Sequence, residues 1–123
     1  MATPRPTDIR LKKDSRVLEV SFDTGESFRL PCELLRVWSP SAEVMGHGPD
    51  QRIPQLGKEG VNIAAIEPIG NYAVLLRFDD GHDTGIFSWT TLYDFGRHQA
   101  AYWERYLAEL DRAGYVRKVA AAP

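Results

Sequence analysis

Apolar and polar residues alternate along two stretches of this chain and recur at helical spacing in three others, and these two periods divide its 123 residues into elements. Ile9 and Leu11 alternate with Arg10 and Lys12. After an Asp14-Ser15 turn, Leu18, Val20 and Phe22 alternate with Glu19 and Ser21, the period of half-buried strands. Asp23-Thr24-Gly25-Glu26 predicts a tight turn in which Gly supplies positive φ, and Phe28 and Leu30 resume the alternation. Pro31 suits the first turn of a short helix, where its missing N–H costs nothing. Leu34, Leu35 and Trp38 then share one side, and Pro40 stops the helix near Ser39. Residues 39–60 follow no period, and a loop of that length in a small domain draws functional suspicion.

The second half repeats the theme. Ile63 to Ile69 is β-branched and apolar, Gly70-Asn71 turns the chain, and residues 72–78 read as a fully buried strand. An acidic turn over residues 79–85 leads to Ile86 and Phe87. Ser88 caps a short helix bearing Trp89, Leu92 and Tyr93, and Gly96 is expected to break it. A longer helix from about Arg97 to Ala113 carries a stripe of Trp103, Tyr106, Leu107 and Leu110, with Gly114 as its stop. Residues 1–7 read as a mobile arm, 8–114 as one domain and 115–123 as a frayed tail.

A weak internal echo links the halves at an offset of 56 residues. Phe22-Asp23-x-Gly25 matches Phe78-Asp79-x-Gly81, and Leu18, Val20 and Leu30 stand opposite Val74, Leu76 and Ile86. The fold class that follows is α+β: a small two-layer domain. Its antiparallel sheet is built from two hairpin-plus-short-helix units, with a longer C-terminal helix.

Charge narrows the class of function. Fifteen basic residues against 17 acidic ones give a formal net charge of -2 and no footprint for nucleic acid or an anionic membrane. A single cysteine, Cys32, excludes an internal disulfide and a cluster of thiolates. No apolar run approaches a membrane span and the first residues lack a signal-peptide core, so a cytoplasmic protein is expected.

Two long segments are familiar. Leu30-Pro31-x-Glu33-Leu34-Leu35-Arg36-Val37-x-Ser39-Pro40-Ser41-Ala42-Glu43-Val44-x-Gly46-His47 is the first. Phe78-Asp79-Asp80-Gly81-His82-x-x-Gly85-Ile86-Phe87-Ser88-Trp89 is the second. Together they resemble DUF971, the gamma-butyrobetaine hydroxylase-like N-terminal domain family, in a stand-alone bacterial form. The resemblance covers about residues 7–112. It implies a two-layer α+β fold and no settled activity. In that family the domain stands alone, precedes the oxygenase domain of carnitine-synthesis hydroxylases, or follows a P-loop ATPase carrying iron–sulfur clusters.

In the hydroxylases the domain holds a structural zinc through three cysteines and one histidine. Laid on this chain, those ligands fall on Ser39, Ser41, Val44 and His82. Only the histidine is kept, and neither hydroxyl nor valine replaces a thiolate, so the Cys3His site is not carried over intact. The iron-binding facial triad of the oxygenase belongs to a separate domain absent from this chain.

Several candidate sites remain. His47 and His82, with Glu43, Asp80 or Asp83, contain the donors of a mixed N/O site for zinc or iron; the simpler reading is two turn histidines, since no tight His spacing exists. Ser39, Ser41, His47, His82 and Asp83 hold the residue types of a hydrolase triad, without a nucleophile elbow. Cys32, at a helix start, is either a reactive thiol or a packed small residue. Arg36 is expected to bridge to Glu43 or Asp79. The expectation that follows is a non-enzymatic binding or adaptor module. It contacts a protein partner through Arg36, Ser39, Ser41, Glu43 and His47, beside a groove between the last helix and the irregular loop. The family's fusions place it near iron–sulfur or metalloprotein maturation. The alternative is a metal-ion-binding domain using His47 and His82.

Overall fold

Strands β1 (Pro6–Lys12), β2 (Val17–Phe22) and β3 (Ser27–Pro31) form one antiparallel sheet in chain order, and β4 (Ile63–Ile69), β5 (Ala73–Phe78) and β6 (Gly85–Ser88) form a second. Helix α1 (Cys32–Val37) follows the first sheet directly and α2 (Ala42–Met45) follows a short connection. Helices α3 (Trp89–Arg97) and α4 (Gln99–Arg112) follow the second sheet. These elements belong to a computed structural model that describes residues 3–46 and 51–118. The architecture is the expected mixed α+β domain of two hairpin-plus-helix units and a longer C-terminal helix, with a separate sheet for each unit.

The internal echo is a structural repeat. Phe22 N–H donates to the Glu26 carbonyl at 2.8 Å and Phe78 N–H to that of His82 at 2.9 Å. Gly25 and Gly81 stand at φ 90° and 92° inside these turns, a conformation that costs glycine nothing. The edge strands carry the same irregularity, between Pro6 and Asp8 in β1 and between Ile63 and Ala65 in β4. One pairing shifts. Leu18 faces Leu30 across the first hairpin, whereas its counterpart Val74 faces Phe87. The second acidic turn has one residue more, so Phe87, fully buried, takes the place of Leu30, while Ile86 is 47% exposed.

A single core draws on Leu18, Val20 and Leu30 of the first sheet and on Leu76, Phe78 and Phe87 of the second. Helices contribute Leu34, Leu35, Leu92, Phe95, Tyr106 and Leu110. On α4 the buried face is Tyr106 and Leu110 with Tyr102 and Trp103 packed beside them, while Leu107 turns outward.

Gly96 does not break α3. A Cβ there would run into the Phe28 ring, so this glycine is a contact point between units. The break falls two residues later at His98, whose φ of -122° leaves the helical region. The first and last described segments are also fastened. The β1 strand begins at Pro6, and Asp23 N–H donates to the Arg5 carbonyl at 2.9 Å. At the other end Arg117 grips the buried Glu33 carboxylate, Nε donating to Oε2 at 2.7 Å. Tyr106 donates its hydroxyl proton to the same oxygen at 2.7 Å. Lys118 N–H and the Tyr115 hydroxyl both donate to Glu59. None of the described helices is long and apolar enough to cross a membrane.

Candidate functional site

The acidic turn of the second hairpin projects His82 toward the connection after α1, and the imidazole is met there at both nitrogens. Nδ1 lies 2.9 Å from Glu43 Oε2 and Nε2 lies 2.9 Å from Ser39 Oγ. A carboxylate accepts, so Nδ1 carries a proton and donates it to Glu43. The loop is built to hold this geometry. Ser41 caps α2 by accepting Glu43 N–H at 3.2 Å, and its hydroxyl shares a 2.7 Å hydrogen bond with Thr84 Oγ1. Gly85 has no side chain because a Cβ would collide with Ser39 Oγ.

Hydroxyl, imidazole and carboxylate in a row is the hydrogen-bond chain of an activated nucleophile. Here its polarity is reversed. Ser39 is fully buried and His82 nearly so, while the Glu43 carboxylate is 63% exposed. A triad needs its hydroxyl open to substrate and its carboxylate shielded. The Ser39–His82–Glu43 chain therefore works as a clasp between the units. Of the hydrolase candidates, Asp83 belongs to Arg77 at 3.2 Å and His47 lies outside the described residues.

Beside the clasp, Asp80 collects charge. Arg36 Nε donates to its Oδ2 at 2.8 Å and Lys58 Nζ at 2.7 Å, while His82 N–H donates to Oδ1 at 3.1 Å. Burial alone would raise the Asp80 pKa, but the Lys58, His82 and Arg36 donors outweigh it and hold the carboxyl at about 2. Arg36 thus bridges to Asp80, in place of Glu43 or Asp79. Asp79 accepts Asn62 N–H at 3.0 Å instead. Nothing in the sequence around Lys58 or Thr84 signals these long-range partnerships.

The expected partner-contact residues divide by burial. Arg36, Ser39 and Ser41 are internal, so they shape the surface from beneath, and among the described residues of this set only Glu43 faces outward. Cys32 is fully buried, and desolvation pushes its thiol up to about 11, the opposite of an activated nucleophile.

A groove of about 490 Å³ opens between the α1–α2 turn, α3 and α4. Trp38 and Phe95 form its floor, Met45, Thr90 and Thr91 its sides, and Tyr102 and Arg105 reach it from α4. Trp38 is fixed by its indole N–H, which donates to the Tyr102 carbonyl at 3.1 Å, and by an edge-on contact with the Tyr102 ring at 5.1 Å.

A family model described as gamma-butyrobetaine hydroxylase-like, N-terminal, matches residues 9–93. The chain belongs to this family. Among solved structures, an NMR solution structure is 56% identical, covers 94% of this chain and 86% of its own, and superposes with a TM-score of 0.80. A second NMR structure is 43% identical, with coverages of 98% and 95% and a TM-score of 0.81. A crystal structure of a DUF971 protein of unknown function from Acidithiobacillus ferrooxidans ATCC 23270 is 41% identical. It covers 75% of this chain and 92% of its own, with a TM-score of 0.61. No curated protein matches the chain.

In this gamma-butyrobetaine hydroxylase-like domain, two positions that the resemblance equates with zinc ligands are in direct contact, since Ser39 meets His82. The donors present do not fit the ion. Two hydroxyls and a valine stand where thiolates are needed, and the remaining histidine has both nitrogens engaged within the chain. Of the mixed N/O donors, Asp80 pairs with Arg36 and Lys58, Asp83 with Arg77 and Glu43 with His82, while His47 lies outside the described residues. Among the described residues no three His, Cys, Asp or Glu side chains converge to hold a metal.

Proposed function

We propose that this domain is a non-enzymatic binding module that takes a segment of a protein partner into the groove between the α1–α2 turn, α3 and α4. One observation carries the reading: the groove has an aromatic floor edged by a methionine that is 41% exposed and by an arginine. Those residue types anchor protein interfaces, because they offer large contact areas with few rotamers to freeze or, for methionine, a surface that adapts. The Ser39–His82–Glu43 clasp supports the same reading. It fixes the start of α2, which carries Met45 to the groove's edge. The family's domain fusions suggest iron–sulfur or metalloprotein maturation in the cytoplasm as the setting.

The test is co-purification with a groove-filling variant. Thr90 is exposed at the groove's side, so Thr90→Trp blocks it without entering the core. A discrete partner retained by the native domain is expected to be lost with Thr90→Trp and kept with Arg10→Trp on β1. Equal retention by both variants would overturn the proposal.

A further inference from the structure

We infer that the partner segment carries two large apolar side chains, one for this groove and one for a neighbouring pocket that meets it at Thr90. The inference rests on the binding-module reading above. The second pocket, of about 520 Å³, lies between the residues before β1, the β4–β5 turn and the first turn of α3. Thr90, exposed on α3, lines both openings, so a segment crossing it reaches the two together.

The two openings are built alike. Each has a tryptophan whose indole N–H is already spent on a backbone carbonyl, Trp38 on that of Tyr102 and Trp89 on that of Asn71 at 2.7 Å. Each sets a tyrosine beside it, Tyr102 in the groove and Tyr72 in the pocket. Tyr72 is 58% exposed, and its ring rests on Gly70, where a Cβ would come within 2.9 Å. Arg52, outside the lining, stacks on the Trp38 ring at 3.5 Å and is itself held by Glu109 at 2.7 Å, so that indole is braced as a floor.

Much of the polar lining is engaged within the chain. Asp94 accepts from the Tyr102 hydroxyl and from His98 Nδ1, the latter at 2.9 Å. Thr91 Oγ1 accepts the Ser88 hydroxyl proton at 2.9 Å, across the line where the openings meet. What remains for a ligand is ring surface and the Met45 thioether, which reward the burial of apolar area and take aromatic or aliphatic anchors. The guanidinium groups of Arg105 and Arg5, one in each opening, only donate, and the carbonyl oxygens of a peptide backbone suit them. A peptide with two apolar anchors satisfies both openings.

Selection of random peptides displayed on phage against the native domain tests this, followed by affinity measurements on Tyr72→Ser, Met45→Ser and Thr90→Trp. All three positions are exposed, so the fold is retained, and circular dichroism checks it. The expected peptides carry two residues such as Leu, Phe or Trp, separated by a few others. Tyr72→Ser and Met45→Ser each weaken them about tenfold, and Thr90→Trp, at the junction, abolishes binding. Trimming one of the two peptide anchors to alanine removes the response to one opening's substitution and keeps the response to the other. Peptides that need Met45 but ignore Tyr72→Ser, or whose affinity rests on a single anchor, would overturn this inference and leave the binding module standing. Peptides that ignore Met45→Ser or Thr90→Trp, or none at all, would remove both.

Discussion

A buried imidazole needs a partner at each nitrogen, and His82 has Glu43 at one and Ser39 at the other. The two are not equivalent. Glu43 is largely in water, so its hydrogen bond is screened and contributes on the order of 1 kcal/mol or less. Ser39 is fully enclosed, and removing its hydroxyl leaves His82 Nε2 unpaired in the interior, a loss of about 1–3 kcal/mol. Ser39→Ala is therefore expected to lower the melting temperature clearly and Glu43→Gln only slightly, measured by thermal denaturation at neutral pH. Equal, negligible shifts would mean that the clasp is not structural. Asp80 makes a second residue-scale prediction. Its folded pKa of about 2 lies below the unfolded value near 3.9, so its contribution is present above pH 4 and fades as pH falls toward 2. After solvent screening the contribution is on the order of 1 kcal/mol. Asp80→Asn is expected to be less stable than the native chain at neutral pH, with the gap closing between about pH 4 and pH 2. A gap independent of pH would contradict the assignment.

At the scale of elements, the two units contact each other reciprocally. Gly96 lies against Phe28 and Gly85 lies against Ser39. These are matching positions, since Phe28 and Gly85 pair with the equivalent strand residues Val20 and Leu76. In both contacts a glycine of the second unit makes room for a side chain of the first. Gly96→Ala is expected to cost about 1–3 kcal/mol because the Phe28 ring must move, even though alanine is the better helix former. A stabilised variant would show that helix propensity outweighs the contact. The strands and turns were legible because period-two alternation and Asp-x-Gly turns are local signals. The fate of Gly96 was not. A glycine inside a helical run reads as a break until the ring that needs its space is known. The shift from Ile86 to Phe87 had the same origin, since one extra turn residue changes which side chain faces inward. The pairing of Arg117 and Lys118 was hidden for a related reason: their partners Glu33 and Glu59 lie more than fifty residues away.

For the whole molecule, the sequence directed attention to the right region and to the wrong surface within it. Ser39, Ser41, Glu43 and His82 do come together, as the two long motifs implied. What composition could not show is that most of them face inward, because burial depends on how the second hairpin docks against α1. The outward-facing chemistry lies next door, in a groove whose lining comes from three separate helical segments. No local pattern ties Trp38 to Tyr102 or Arg52 to Glu109. The reading therefore separates two roles: the clasp holds the wall of the groove and the groove meets the partner. Site-specific photo-crosslinking in cells tests that separation most directly, with a benzoylphenylalanine placed either at Thr90 or at Arg10 on the first sheet. Discrete adducts from Thr90 and none from Arg10 are the predicted result. Adducts from Arg10 alone, equal adducts from both positions, or none from Thr90 would contradict it.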